Sequence, residues 1–159
     1  MSQLSLARWL KTVVLIFGLL AAVFAFGMTP ILAQNFQQLY PNFAGASVFY
    51  LLRFWLLIPA FLVAALSFWK ICSNIAADNS FCAQNAVMCT RLSFCAAVDS
   101  VLAFLFLILT ALLGVLRTGY LLASVLLILF GFAITVAAAL LSHLVEKAAK
   151  LKEENDLTI

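Results

Sequence analysis

Asp99 and Arg53 are ionisable residues set inside apolar runs, and they bound the chemistry open to this chain. Asp99 lies in CAAVDSVLAFLFLILTALLGVLR, from Cys95 to Arg117, and Arg53 lies in the run from Val48 to Ile71. A charge at bilayer depth costs several kcal/mol, so such residues face protein or water and mark ion paths, proton relays or structural pairs. Asp99 is therefore the candidate proton- or cation-coupling residue. Its structural alternative is a buried acid that fixes helix register. Arg53 sits about two turns from the nearer end of its run, and its side chain can snorkel back to that interface. Other candidates carry less. Cys72, Cys82, Cys89 and Cys95 lack the paired short spacings of a zinc site, and small buried thiols are expected. His143 is a lone interfacial histidine, better read as solvated than as a ligand. There is no glycine-rich phosphate loop, HExxH, GxSxG or carboxylate pair for glycoside chemistry. No enzyme activity, catalytic residue, metal or cofactor is expected.

Helices must position these residues. At about 100° per residue, Asp99, Ala103, Thr110, Gly114 and Arg117 fall on one small, polar face. Ser124, Gly131, Thr135, Ala138 and Ser142 cluster in the same way on the next apolar run. These two faces are expected to meet, with the hydroxyls from Thr135 to Ser142 level with Asp99 as its partners. The intramembrane polar set is then Asp99, Arg53, Thr110, Thr135 and Ser142.

Composition says what surrounds them. Of 159 residues, 67% are hydrophobic and 9% charged, with mean hydropathy +1.18, far from the balance of a soluble domain. Four runs are long enough to span a bilayer, at about 12–33, 48–71, 92–116 and 120–144. The first is long for a signal peptide core and reads as a transmembrane helix, with Gly18, Ala22, Ala25 and Thr29 on a face open to close helix approach. Between the first two spans, QNFQQLYPNFAGAS (Gln34 to Ser47) is read as an uncharged loop lying on the headgroups. Pro59 should kink the second span. Cys72 to Arg91 forms the main loop, where Asp78-Asn79-Ser80 supplies N-cap residues for a helix starting near Phe81. The short turn at Arg117-Thr118-Gly119 makes the last two spans antiparallel neighbours. The expected fold is an all-α integral membrane protein, one transmembrane domain (1–159) of four helices in an antiparallel bundle. A helical cytoplasmic tail, 145–159, follows the last span.

Charge sets the orientation. Arg8, Lys11, Lys70, Arg91, Lys147, Lys150 and Lys152 fall on the side of the termini, while Arg117 and a snorkelling Arg53 fall on the other. By the positive-inside rule both termini and the main loop are cytoplasmic. The tail ends in acids, Glu153, Glu154 and Asp156, a negative end suited to docking a basic partner.

The segment Ile71 to Ala96, ICSNIAADNSFCAQNAVMCTRLSFCA, resembles the loop of the bacterial membrane proteins classed as domain of unknown function 2975. Phe81, Asn85 and Arg91 match that family's pattern, while Ser80 stands where proline is usual. The ending Glu153-Glu154-Asn155-Asp156-Leu157-Thr158-Ile159 resembles the family's acidic tail. The resemblance implies a multi-pass protein of the bacterial cytoplasmic membrane, of a kind often encoded beside a small helix-turn-helix regulator. The expected role is to restrain such a regulator at the membrane; the alternative is a small transporter or channel using Asp99. Expected partners are membrane lipid, the helix-turn-helix transcription regulator and a second copy of the chain, with no direct contact to nucleic acid.

Overall fold

The first long helix widens for one turn just where Pro30 removes a backbone donor. In the computed structural model, which describes residues 3–77 and 79–156, α1 (Gln3–Val23) runs into a π turn (Phe24–Met28) and then α2 (Thr29–Leu39). Without the Pro30 N–H, the carbonyl one turn earlier has no α-helical donor. The Thr29 N–H instead reaches back to the Phe24 carbonyl, and the Thr29 hydroxyl donates to the same oxygen at 3.0 Å. The proline thus neither ends nor splits the span, which continues unbroken from Leu4 to Leu39.

The connection that follows is shorter than the sequence suggests. Gln34 to Leu39 is helical, and the chain turns only between Tyr40 and Gly45 before α3 (Ala46–Ala76). Gly45 supplies the left-handed conformation, φ +88°, that this turn requires. Gln37 clasps the turn from inside: its amide donates to the Phe43 carbonyl at 3.3 Å and accepts the Ser47 N–H at 3.1 Å. Helix α3 then continues through Pro59 to Ala76, well past the expected end of the span at Ile71.

Helix α4 (Ala83–Leu112) begins after the Cys82 residue, whose backbone is extended (φ −129°, ψ 151°). Its N-cap residue, Cys82, makes no side-chain cap bond, and the helix starts at Ala83, two residues after the expected Phe81. Asp78 itself lies outside the described residues. At its other end α4 stops at Leu112, several residues before the expected turn. Gly114, φ +68°, terminates it: the Gly114 N–H bonds the Ala111 carbonyl and the Val115 N–H bonds the Thr110 carbonyl. This is a Schellman closure, with Val115 buried against it. Gly114 and Arg117 therefore lie beyond the helix, and the inward face expected from Asp99 to Arg117 is two positions shorter. Helix α5 (Thr118–Asp156) has 39 residues, about 58 Å at 1.5 Å per residue, so it must stand well clear of a hydrocarbon core of about 30 Å.

The spans pack in chain order. Phe24 meets Phe54, Phe26 meets Trp55 and the Lys11 ammonium lies over the Trp69 ring at 5.3 Å, so the first span runs antiparallel to α3. Phe49 against Phe106 and Asn74 against Asn85 set α3 antiparallel to α4. Helices α4 and α5 share the most extensive interface, through small residues. Among the described residues there is no strand, and four helices are long and apolar enough to cross a membrane. Their large apolar side chains point outward, Leu112 and Phe130 among them. In water that surface would be intolerable; in lipid it is the expected exterior.

One reading of a helix face needs correction. Gly18 has nothing within 4 Å of where a side chain would start, so it is not a close-approach point. Gly131 is one: a Cβ there would collide with the Ser100 hydroxyl of α4.

Candidate functional site

The loop between α3 and α4 is organised by one buried carboxamide. Asn85 lies in the first turn of α4 and is 2% exposed. Its amide nitrogen donates to the Ser80 carbonyl at 2.8 Å and to the Asn79 carbonyl at 3.4 Å. Its oxygen accepts from Asn74 of α3 at 2.7 Å. A single side chain thereby folds the loop back onto α4 and ties that fold to α3. Asn85 is a structural clasp, since both its donors and its oxygen are engaged inside the chain.

That clasp presents Phe81 outward, 58% exposed, toward the tail. A cavity of about 460 Å³ opens between loop and tail, lined by Asn79, Phe81 and Cys82 on one wall and Glu146, Lys150, Lys152 and Glu153 on the other. Glu146 and Lys150 form an ion pair at 2.9 Å on the exposed helix. The Lys150 hydrogen bond holds the Glu146 carboxyl below the usual carboxylate range, and the same bond raises the Lys150 ammonium. The pair is therefore complete between the two ranges: it is lost as pH falls through the lowered carboxyl value or rises through the raised ammonium value. Glu154 is exposed and engaged in an interaction of its own. Asp156 closes α5, with its side chain outside the described residues, as are Leu157, Thr158 and Ile159. Arg91 does not join this groove. It is exposed along α4, at the edge of a shallow apolar hollow with Val63, Val87 and Phe94.

Within the membrane, the small face of α5 packs residue by residue. Ser124 accepts from Arg53 at 3.0 Å, Gly131 abuts Ser100, the Thr135 carbonyl accepts from Ser93 at 2.8 Å, and Ser142 donates to the Ala86 carbonyl at 2.9 Å. The Thr135 hydroxyl turns back to its own helix at Gly131. Thr110, 1% exposed, bonds the Phe106 and Leu107 carbonyls and serves the closure of α4.

None of these hydroxyls reaches Asp99. Helix α4 has two contact faces: Ala86, Ser93 and Ser100 meet α5, while Asn85 and Phe106 meet α3. Asp99 is seven residues from Phe106 and so shares the α3 face. Its Oδ1 is buried with no hydrogen-bond partner among the described residues. The pairing expected with Thr135 to Ser142 is absent because the helical rotation that brings Ser93 and Ser100 to α5 turns Asp99 away. His143 is exposed. The cysteines are free thiols, and no group of three metal-ligating side chains occurs among the described residues.

Sequence reasoning did not find the Arg53–Ser124 pair or the Asn85 clasp. Arg53 and Ser124 were separately visible, but nothing in sequence relates residues 71 positions apart. Asn85 had a signal, as a carboxamide at the third position of a helix, where side chains can fold back on a preceding loop.

No curated protein and no solved structure matches the chain. The family described as "Protein of unknown function (DUF2975)" matches residues 31–159, which takes in α2 through the tail, including the clasped loop and the groove. With most of its length inside that match and four apolar helices of spanning length, the chain is a multi-pass membrane protein and a member of the DUF2975 family.

Proposed function

We propose that this chain is a non-enzymatic interaction protein of the bacterial cytoplasmic membrane, holding a small helix-turn-helix regulator in the groove between loop and tail. The supporting observation is the groove itself. The family-like loop and the acidic-ended tail, far apart in sequence, wall one cavity of about 460 Å³. Its exposed Phe81 offers an apolar anchor; the tail wall itself balances Glu146 and Glu153 against Lys150 and Lys152, and the sequence beyond it, with Glu154 and Asp156, ends in acids. DNA-binding domains are basic where they meet phosphate, so such a partner would be held in competition with its DNA. Both termini share one side because the spans are four. The excess of Lys and Arg on that side supports placing it in the cytoplasm, where a regulator would be met.

The test is removal of 152–159 followed by recovery of the regulator with membranes at moderate salt. Loss of recovery supports the tail wall of the groove as a docking surface. Unchanged recovery for this deletion and for Phe81→Ala sinks the proposal.

The second reading, a small transporter or channel with Asp99 as its coupling residue, rests on the buried and unpartnered Oδ1. Asp99→Asn would abolish coupled transport in a folded protein on that reading and leave regulator recovery untouched on the first.

A further inference from the structure

Two cations stand at the hollow between α3 and α4 with no acid paired to them among the described residues. The hollow holds about 390 Å³ and is lined by Val63 of α3 and by Val87, Thr90, Arg91, Phe94 and Cys95 of α4. The α4 residues recur at three- and four-residue steps, so they form one stripe along the helix. From Val87 to Cys95 that stripe runs about 12 Å at 1.5 Å per residue. The Thr90 hydroxyl is spent on the Ala86 carbonyl and on Ser142. That leaves the Arg91 guanidinium as the strong donor on an otherwise apolar wall.

Arg91 is exposed, and the ion pair among the described residues is Glu146–Lys150, out on the tail. Lys70, the second cation, is exposed on α3 and is likewise outside that pair. It lies seven residues, close to two turns, from Val63, so it shares the α3 face that lines the hollow. The Asn74–Asn85 bond fixes its depth against α4. Lys70 is four residues inward from that bond and Arg91 six, so their depths differ by about 3 Å at 1.5 Å per residue. Both stand on the membrane side of the termini, where α3 ends and α4 begins. Val63, Phe94 and Cys95 lie deeper. The hollow is thus cationic toward the interface and apolar toward the bilayer centre.

We infer that this hollow seats an anionic phospholipid, with its phosphate on Arg91 and Lys70 and one acyl chain against Val63, Phe94 and Cys95. A guanidinium fork matches two phosphate oxygens, and an ammonium adds a point charge. Basic pockets between membrane helices are where such headgroups settle. The acyl chain gains little in leaving bulk lipid, because lipid tails are as apolar as the side chains of the hollow. The hollow therefore fixes where the lipid sits, and the two cations select its charge. A zwitterionic lipid brings its own cation to the phosphate and offers them no net charge. The site is independent of the loop–tail groove, with which it shares no lining residue.

The experiment uses the purified full chain in micelles carrying equal amounts of phosphatidylglycerol and phosphatidylcholine, with retained lipid counted by native mass spectrometry. The variants are Arg91→Gln, Lys70→Gln, the two together, and Val63→Trp, which fills the hollow from an exposed position. Arg117→Gln, at the opposite membrane face, is the control, and every variant is checked for monodispersity. The unaltered chain should retain phosphatidylglycerol in preference to phosphatidylcholine. Each glutamine change should lower that retention about fivefold, and the pair roughly 25-fold. Val63→Trp should lower it with both cations in place, which a diffuse charge effect does not do, and Arg117→Gln should leave it unchanged. Equal retention of the two lipids by the unaltered chain, or a loss in Arg117→Gln as large as in Arg91→Gln, overturns the site. So does a dimer that Val63→Trp dissociates, since the hollow would then be an interface between copies.

Discussion

The hydroxyls of Thr90 on α4 and Ser142 on α5 lie 2.7 Å apart, and both also reach the Ala86 carbonyl, at 3.1 and 2.9 Å. Two protons serve three contacts, so two of the three bonds are made at any instant. The cluster fixes the rotation of α5 against α4 near the end of the membrane from which the tail emerges. Ser142→Ala removes the cross-helix donor and should destabilise the chain by about 1 kcal/mol, within the range of hydrogen bonds between membrane helices. Thr135→Ala should cost under about 0.5 kcal/mol, because the Thr135 hydroxyl serves its own helix and the Ser93 bond goes to its backbone. Unfolding in mixed micelles with increasing SDS measures both. Equal losses would mean that the cross-helix bond is not what registers the pair.

Gly131 and Ser100 give a second constraint on the same interface. The Ser100 hydroxyl bonds the Ala96 carbonyl at 2.7 Å and occupies the place that a Cβ on Gly131 would need. Gly131→Ala should destabilise by roughly 1–3 kcal/mol through overpacking. Adding Ser100→Ala should recover most of that loss, since the colliding atom is then gone. Gly18→Ala, with nothing within 4 Å, should be neutral or slightly stabilising. A double variant no better than Gly131→Ala alone would place the collision elsewhere.

Asn85→Ala should release the loop between α3 and α4. It leaves the Ser80 carbonyl without this partner and takes from the Asn74 amide its shortest bond, leaving the longer contact to Gln84 at 3.4 Å, at roughly 1–3 kcal/mol locally. The readout is the labelling rate of Cys82, whose sulfur accepts from Asn74 at 3.9 Å and which follows the clasped Asn79 and Ser80. Faster labelling in Asn85→Ala, with the far end of the protein unchanged, is expected. An unchanged rate would show the loop to be held by other contacts.

Topology is open to a direct check. A cysteine at exposed Asn42, in the connection between the first two spans, should react with a membrane-impermeant maleimide from outside. Native Cys82 should react only after permeabilisation. Gln37 is unsuited to carry the probe, because it clasps the turn through Phe43 and Ser47. Strong external labelling of Cys82 would reverse the orientation.

Asp99→Asn should preserve the fold. The carboxyl makes no bond whose loss would matter, and the amide removes a charge from low dielectric. Equal or greater resistance to unfolding, with the same elution volume, is the expected result. A chain that no longer folds would assign Asp99 a structural partner.

The sequence alone determined that the chain crosses a membrane four times, because span length and hydropathy are local quantities fixed by bilayer thickness. It also determined the packing face of α5, since Ser124, Gly131, Thr135, Ala138 and Ser142 recur at the helical period and small residues are what close approach needs. Helix ends were legible only in part. Gly114 could be read as one more small residue on a face until its positive φ showed that the helix stops there, and α3 ran past Ile71 because nothing in its sequence forbids a helix from leaving the hydrocarbon core. Which side chains meet was decided by tertiary structure. Asp99 and Ser93 are less than two turns apart on α4, yet one faces α3 and the other α5, and a periodic pattern cannot say which neighbour stands at which angle. Arg53 finds Ser124, and the loop finds the tail, only when antiparallel packing sets the depth and rotation of each helix against the next.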